Sequence, residues 1–334
     1  MNQISPKKLF ILLLLNSLFF SCSPPPRQHD GPPPPDGYWN ELMVMAAWKM
    51  GTLDLIEKKP EVPEDIAEHK DLLYRTTSTK DLKLDIYHKK DINGSAPLLV
   101  FIHGGGWTGG DKRDYLVYLL DFAKLGYVTA TLSYRFAQEA KFPAAVIDVK
   151  CAIKWLKTHA GEYHIDPEKI AVIGGSAGGH LSMMIGYSSD VPELDGDCPN
   201  DSTSSRVQAV VNFYGPTDLT TEYGRNHSIT KNFLGKTWEE DPDIFRHASP
   251  DHYLTADDPP TLIFHGTIDS LVPVSQSDNL KARLDSLGVD TYYHRLKGWP
   301  HTMDAAVEVN EYCQYYMREF FQKYLPLGGV QGVR

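Results

Sequence analysis

Residues 170–185 read IAVIGGSAGGHLSMMI, a β-rich apolar run, a cluster of small residues around Ser176, and then helix-forming residues. Few folds accommodate that order. It predicts a buried strand at Ile170–Ile173, a tight turn over Gly174-Gly175-Ser176-Ala177-Gly178, and a helix through Leu181–Ile185. Glycine and alanine on both sides let neighbouring backbone pass close to the turn, which leaves the serine hydroxyl as its one reactive group.

The surrounding pattern is consistent with that turn. Short β-rich runs recur at Leu82–Tyr87, Leu98–Ile102, Val128–Leu132, Val207–Phe213, Thr261–Phe264 and Thr291–His294, and most of the later ones are separated by helical segments. Val146, Val149, Ile153 and Leu156 form one apolar stripe behind Pro143, Val274, Leu280, Leu284 and Leu287 a second ending at Gly288, and Val309, Tyr312, Tyr316, Phe320 and Tyr324 a third. The expected fold is a mostly parallel central sheet with helices on both faces, and 334 residues with 42% hydrophobic content suit one such α/β domain. Residues 187–206 and 216–250 read as polar insertions that form a small cap or rim.

The N-terminus carries other information. Lys7 and Lys8 precede the apolar run Leu9–Phe20, which is too short to span a bilayer and has the layout of a secretory signal. It closes on Phe19-Phe20-Ser21-Cys22, similar to the lipobox of bacterial lipoproteins, with Phe19 where an aliphatic residue is usual. That resemblance implies cleavage after residue 21, lipidation of Cys22, a lipid anchor to a membrane and a place in the cell envelope. Residues 22–37 are then a Pro-rich tether, 38–70 an N-terminal extension with a short helix around Met43–Met50, 71–325 the catalytic domain and 326–334 a flexible tail. Beyond Cys22 the chain keeps 31 of its 33 basic residues against 43 acids, a net charge of −12 that argues against nucleic acid or an anionic lipid surface as partner. Cys151, Cys198 and Cys313 remain, enough for one disulfide whose pairing the spacing leaves open. No metal is expected, because no Cys/His cluster has ligand spacing.

Serine is a weak nucleophile by itself and needs a base, an acid that orients the base, and a stabiliser of negative charge. The run FIHGGGW at 101–107 follows a strand and offers the Gly105 and Gly106 amides, with that of Ala177, as a cradle for an oxyanion. TLIFHGTIDSLVP at 261–273 carries Asp269 in the loop after another strand, and GWPHTM places His301 after the last one. Ser176, Asp269 and His301 are the predicted triad, with Asp218 in FYGPTDL as the rival acid. Trp107, Tyr214 and Trp299 are candidates for the substrate pocket. Tyr223, Phe233 and Trp238 are available to stack on a sugar or aromatic acid or to pack the insertion, while His103, His180 and His265 read as braces.

Taken together, HGGGW, GGSAGGHL, HGTIDSLVP and GWPH resemble the esterase/lipase branch of the α/β-hydrolase superfamily over residues 70–325. Gly175 and His180 stand where hormone-sensitive-lipase-like esterases usually carry Asp and Asn, and with Trp107 they look more like bacterial acetylxylan/feruloyl esterases. The resemblance implies the α/β-hydrolase fold and hydrolysis of a carboxylic ester without cofactor, on a small acyl ester or an acylated carbohydrate. Acyl peptidases and arylformamidases share parts of the pattern, and a non-catalytic carbohydrate-binding lipoprotein is the alternative outside the enzymes.

Overall fold

A computed structural model describes residues 31–328 apart from 58, 200 and 201. The signal-like segment and Cys22 lie outside the described residues, as does most of the tail. In chain order the elements are α1 (Glu41–Lys49), β1 (Ile66–Thr76), β2 (Asp81–Lys89), β3 (Ala96–Ile102), α2 (Leu116–Lys124), β4 (Val128–Leu132), α3 (Ala144–Thr158), β5 (Ile165–Gly175), α4 (Ala177–Tyr187), β6 (Ala209–Phe213), α5 (Glu222–Asn226), α6 (Ser228–Leu234), α7 (Pro242–His247), β7 (Thr261–Gly266), α8 (Ser275–Leu287), β8 (Thr291–Leu296) and α9 (Val307–Tyr324). Gly288 ends α8 in the left-handed conformation, φ 76°, as its sequence position predicts.

Eight strands form one sheet in the order β1-β2-β4-β3-β5-β6-β7-β8, antiparallel across β1/β2 and β2/β4 and parallel elsewhere. All seven residues of β3 are buried, the continuous apolar run expected of a strand covered on both faces. Alternation along the strands sorts the core: Leu98, Val100 and Val172 pack with Val149, Leu181 and Leu280 of α3, α4 and α8 on one face. Leu99, Phe101 and Ile173 pack with Leu119 and Phe321 of α2 and α9 on the other. This is the α/β-hydrolase arrangement, with one strand more than the β-rich runs indicate.

Two parts of the chain depart from the sequence reading. The extra strand β1 begins inside the segment read as an extension; it is an edge strand, half polar, with register shifts at His69/Leu72 and Leu73/Arg75 that break its alternation. The insertion at 216–250 carries three short helices, which its polar sequence does not announce. The insertion at 187–206 is fastened to α3 by a disulfide between Cys151 and Cys198 and by Asp195, which meets Lys150 and Lys154 at 3.3 and 3.2 Å. Cys313 is a free, buried thiol.

The disulfide closes a loop with a sequence separation of 47. Replacing both cysteines with alanine is expected to lower stability in a chemical-denaturation titration by on the order of 4 kcal/mol at most, through the freed unfolded chain. A change below about 0.5 kcal/mol would mean that packing and the Asp195 ion pairs hold the insertion unaided.

Candidate active site

The turn between β5 and α4 places Ser176 at φ 56°, ψ −121°, a conformation that a residue with a side chain rarely adopts. Three features keep it there. The Ser176 N–H donates to the Phe213 carbonyl of β6 at 2.8 Å, and its own carbonyl accepts from His180 N–H at 3.0 Å. At Gly178, a Cβ would stand 2.0 Å from the Ile102 carbonyl oxygen at the end of β3, so only glycine lets the two strand ends close on each other.

That approach sets the serine against the loop after β3. Gly105, at φ 105°, and Gly106 line one cavity with Ser176 and Ala177. The amides of Gly105, Gly106 and Ala177 donate to no other group among the described residues, and Ala177 opens α4, where first-turn N–H groups have no helical partner. Free donors beside a serine hydroxyl are the arrangement that stabilises a developing oxyanion.

His301 lies on the same cavity, in the loop after β8. Its Nδ1–H donates to Asp269 Oδ2 at 2.7 Å, which fixes the tautomer and leaves Nε2 available as a base. Asp269, in the loop after β7, accepts three hydrogen bonds, from the Leu271 and Val272 amides at 2.9 and 2.8 Å and from His301, and its Oδ2 lies 3.2 Å from His265 Nε2. Burial alone would raise its pKa; the neighbouring His265 and His301 outweigh that and hold it at about 2. His265 also donates to the Val272 carbonyl and accepts from Ser277 Oγ, so it braces the acid loop. Asp218, the rival acid, instead caps its own turn by accepting from the Thr220 amide and hydroxyl at 2.8 and 2.6 Å.

The other sequence candidates divide. Tyr214 lines the cavity with its ring 4.6 Å from that of His301 and its hydroxyl donating to Asp304. Tyr223 lines it as well. Trp107 borders it, but its indole is buried, stacked on Phe233 at 4.3 Å with Nε1–H donating to His180 Nδ1. Burial pushes His180 down to about 4, and it remains the neutral strut its position suggested, with Nε2–H on the Ala248 carbonyl. Phe233 and Trp238 pack the insertion; Trp238 lies under the Arg225 guanidinium at 3.7 Å. His103 stacks on Tyr134 and bonds the Gly104 carbonyl, a loop brace.

Trp299 is a correction. Its ring does not border the cavity: it is 1% exposed, meets Tyr38 edge-on at 5.6 Å and donates from Nε1 to the Pro35 carbonyl. Although Trp299 stands two residues before His301 in the chain, its indole packs against Tyr38 and Pro35 instead.

Two contributions were not foreseen. Asp304, buried beside Tyr214, is raised above the usual carboxylate range by that burial. The N-terminal extension also supplies a cavity wall: Leu55 pairs with Ala306, Ile56 N–H donates to the Ala305 carbonyl at 2.9 Å, and both side chains line the cavity. Glu41 of α1 accepts from the Ser270 hydroxyl at 2.7 Å, beside Asp269. The whole cavity holds about 570 Å³ and is rimmed by Leu271 and Ile229. Among the described residues no group of three or more His, Cys, Asp or Glu side chains is placed to hold a metal ion.

The BD-FAE family model matches residues 84–284, more than half of the chain. A probable carboxylic ester hydrolase LipM of Mycobacterium tuberculosis is 38% identical over 58% of this chain and 46% of its own length. Esterase LipQ of the same organism is 31% identical over 79% of this chain and 64% of its own. This chain thus spans about half to two-thirds of the length of these curated relatives. Among solved structures, esterase 2 of Thermogutta terrifontis covers 82% of this chain and all of its own with a TM-score of 0.69 at 27% identity. A truncated carbohydrate esterase from gut microbiota covers 79% of this chain and 99% of its own, with a TM-score of 0.68 at 25%. A bifunctional GH43-CE protein of Bacteroides eggerthii covers 77% of this chain and 38% of its own, with a TM-score of 0.70 at 27%.

Because Asp269 is charged and buried, the native state gains stability from it above the ordinary carboxylate range and loses that gain as pH falls from about 4 through about 2. Acid unfolding of Asp269→Asn, followed by circular dichroism, is expected to lack this step, worth on the order of 2 kcal/mol in the parent chain. Equal pH dependence of the two proteins would contradict the assigned hydrogen-bond network.

Proposed function

The chain belongs to the BD-FAE family, and from that premise and the geometry of its cavity we propose that it is a serine carboxylesterase acting on small acyl esters. The observation that carries the reading is the 2.7 Å hydrogen bond from His301 Nδ1–H to a buried Asp269, with His301 and Ser176 on one cavity that is also lined by three residues with unpaired amides. In the proposed reaction His301 Nε2 takes the Ser176 proton as Oγ attacks the acyl carbon. Asp269 holds the imidazole and stabilises its charged form, and the Gly105, Gly106 and Ala177 amides receive the tetrahedral oxyanion. The protonated imidazole gives its proton to the alkoxide as the ester C–O bond breaks, and the alcohol leaves. His301 then takes a proton from the water that attacks the acyl-enzyme and returns it to Ser176 Oγ as the acid departs.

We also propose that the ester is an acetyl or feruloyl group on plant polysaccharide. The cavity, with Tyr214 and Tyr223 on its walls, suits a small or aromatic acyl group, and two of the similar solved structures are a carbohydrate esterase and a GH43-CE protein. We further propose that the chain is exported and lipidated at Cys22 in the cell envelope. The Cys151–Cys198 disulfide supports this, because such bonds persist in oxidising compartments.

Ser176→Ala is expected to lower kcat on p-nitrophenyl acetate by about 10⁴-fold or more. Thermogutta terrifontis esterase 2 has been obtained phosphorylated by paraoxon, and intact mass after paraoxon treatment is expected to show one diethylphosphoryl adduct on this chain and none on Ser176→Ala. Undiminished turnover by the variant, or labelling of both proteins, would discard the serine assignment.

A further inference from the structure

Helix α1 is apolar on nearly every side, yet Ala47 is its one buried residue. Leu42 is 76% exposed, and Met43, Met45 and Trp48 are about half exposed; Trp39 just before the helix is 89% exposed and Met50 just after it 72%. Polar groups sit at its ends, with Asn40 and Glu41 at the start and Lys49 at the close. A helix apolar all round is one that something else covers, and a contiguous exposed apolar patch marks an interaction surface. Leu55 and Leu271, exposed and on the rim of the cavity, place a second apolar surface at the mouth of the site.

The position of α1 in the chain says what the cover is. Residues 32–38 are fastened to the domain: Tyr316 Oη–H donates to the Pro32 carbonyl at 3.0 Å, Trp299 to the Pro35 carbonyl at 3.2 Å, and Tyr38 N–H to the Gly298 carbonyl at 2.8 Å. The chain that leaves the domain at Pro32 leads back to Cys22, and even fully extended that stretch reaches no more than about 35 Å. We propose that the exposed face of α1 rests in the surface of a zwitterionic bilayer, with the Trp39 and Trp48 indoles at headgroup level and the mouth of the cavity beside the membrane. The inference rests on the reading of Cys22 as a lipid anchor. Indoles, with an apolar body and one polar N–H, favour that interface. The excess of acidic residues in the chain favours zwitterionic over anionic lipid.

The test uses the full chain and phosphatidylcholine vesicles brominated near the glycerol end of the acyl chains, which quench an indole held at the boundary of headgroups and acyl chains. Wild-type emission is expected to fall on brominated relative to ordinary vesicles. Trp39→Phe/Trp48→Phe, which keeps Trp107, Trp155, Trp238 and Trp299, is expected to show no such loss while cosedimenting with the vesicles equally. Unquenched wild-type protein, equal quenching of both proteins, or failure to cosediment would each overturn the proposal. So would a lipid-free dimer in sedimentation that the double substitution dissolves, since a second copy would then be the cover. Turnover of p-nitrophenyl acetate in lipid-free buffer is read alongside. Its absence would count against the esterase reading and leave the quenching result standing.

Discussion

The structure depends on how closely the ends of β3 and β5 approach each other. With no side chain at Gly178, the first turn of α4 settles against the Ile102 carbonyl, and the serine ahead of it is driven into a backbone conformation that it would not choose alone. The strain is offset by ordinary interactions around it: the bond to Phe213 on the neighbouring strand, the bond from His180 within the helix, and a core packed on both faces of the sheet. The outcome is a half-buried serine on a rigid support, lining one cavity with Gly105 and Gly106, whose amides are free.

The histidine and its acid solve a different problem, because they come from loops that could wander. Asp269 is held by the two amides of its own loop and by His265, and it in turn orients His301. His265 is itself fixed by Ser277 on α8, so the acid loop is tied back into regular structure. Beside His301, the Tyr214–Asp304 hydrogen bond joins the end of β6 to the turn that follows the histidine. Each catalytic candidate is thereby positioned by at least one residue with no evident part in the chemistry.

What could be read from the sequence was whatever is local. Strands buried on both faces, such as β3 and β7, announce themselves as continuous apolar runs, and the turn at Ser176 as a cluster of small residues between a strand and a helix. The order of serine, acid and histidine along the chain needed only that each follow a strand. What escaped notice depends on partners far away in the chain. β1 is paired on one side only and is interrupted by bulges, so its pattern is too polar to read as a strand. Leu55 and Ile56 become a cavity wall through hydrogen bonds to the chain just beyond Met303, which no local pattern foretells. Trp299 shows the converse error: it is two residues from His301, and its indole belongs to the packing around Tyr38 and Pro35.

The constrained turn sets the Ser176 hydroxyl on one cavity with three free amides. A crystal structure of the chain after reaction with an organophosphate is expected to show the phosphorus on Ser176 Oγ, with one phosphoryl oxygen about 2.7–3.1 Å from the Gly105, Gly106 and Ala177 nitrogens. A phosphoryl oxygen turned to solvent, with those amides bonded elsewhere, would contradict it.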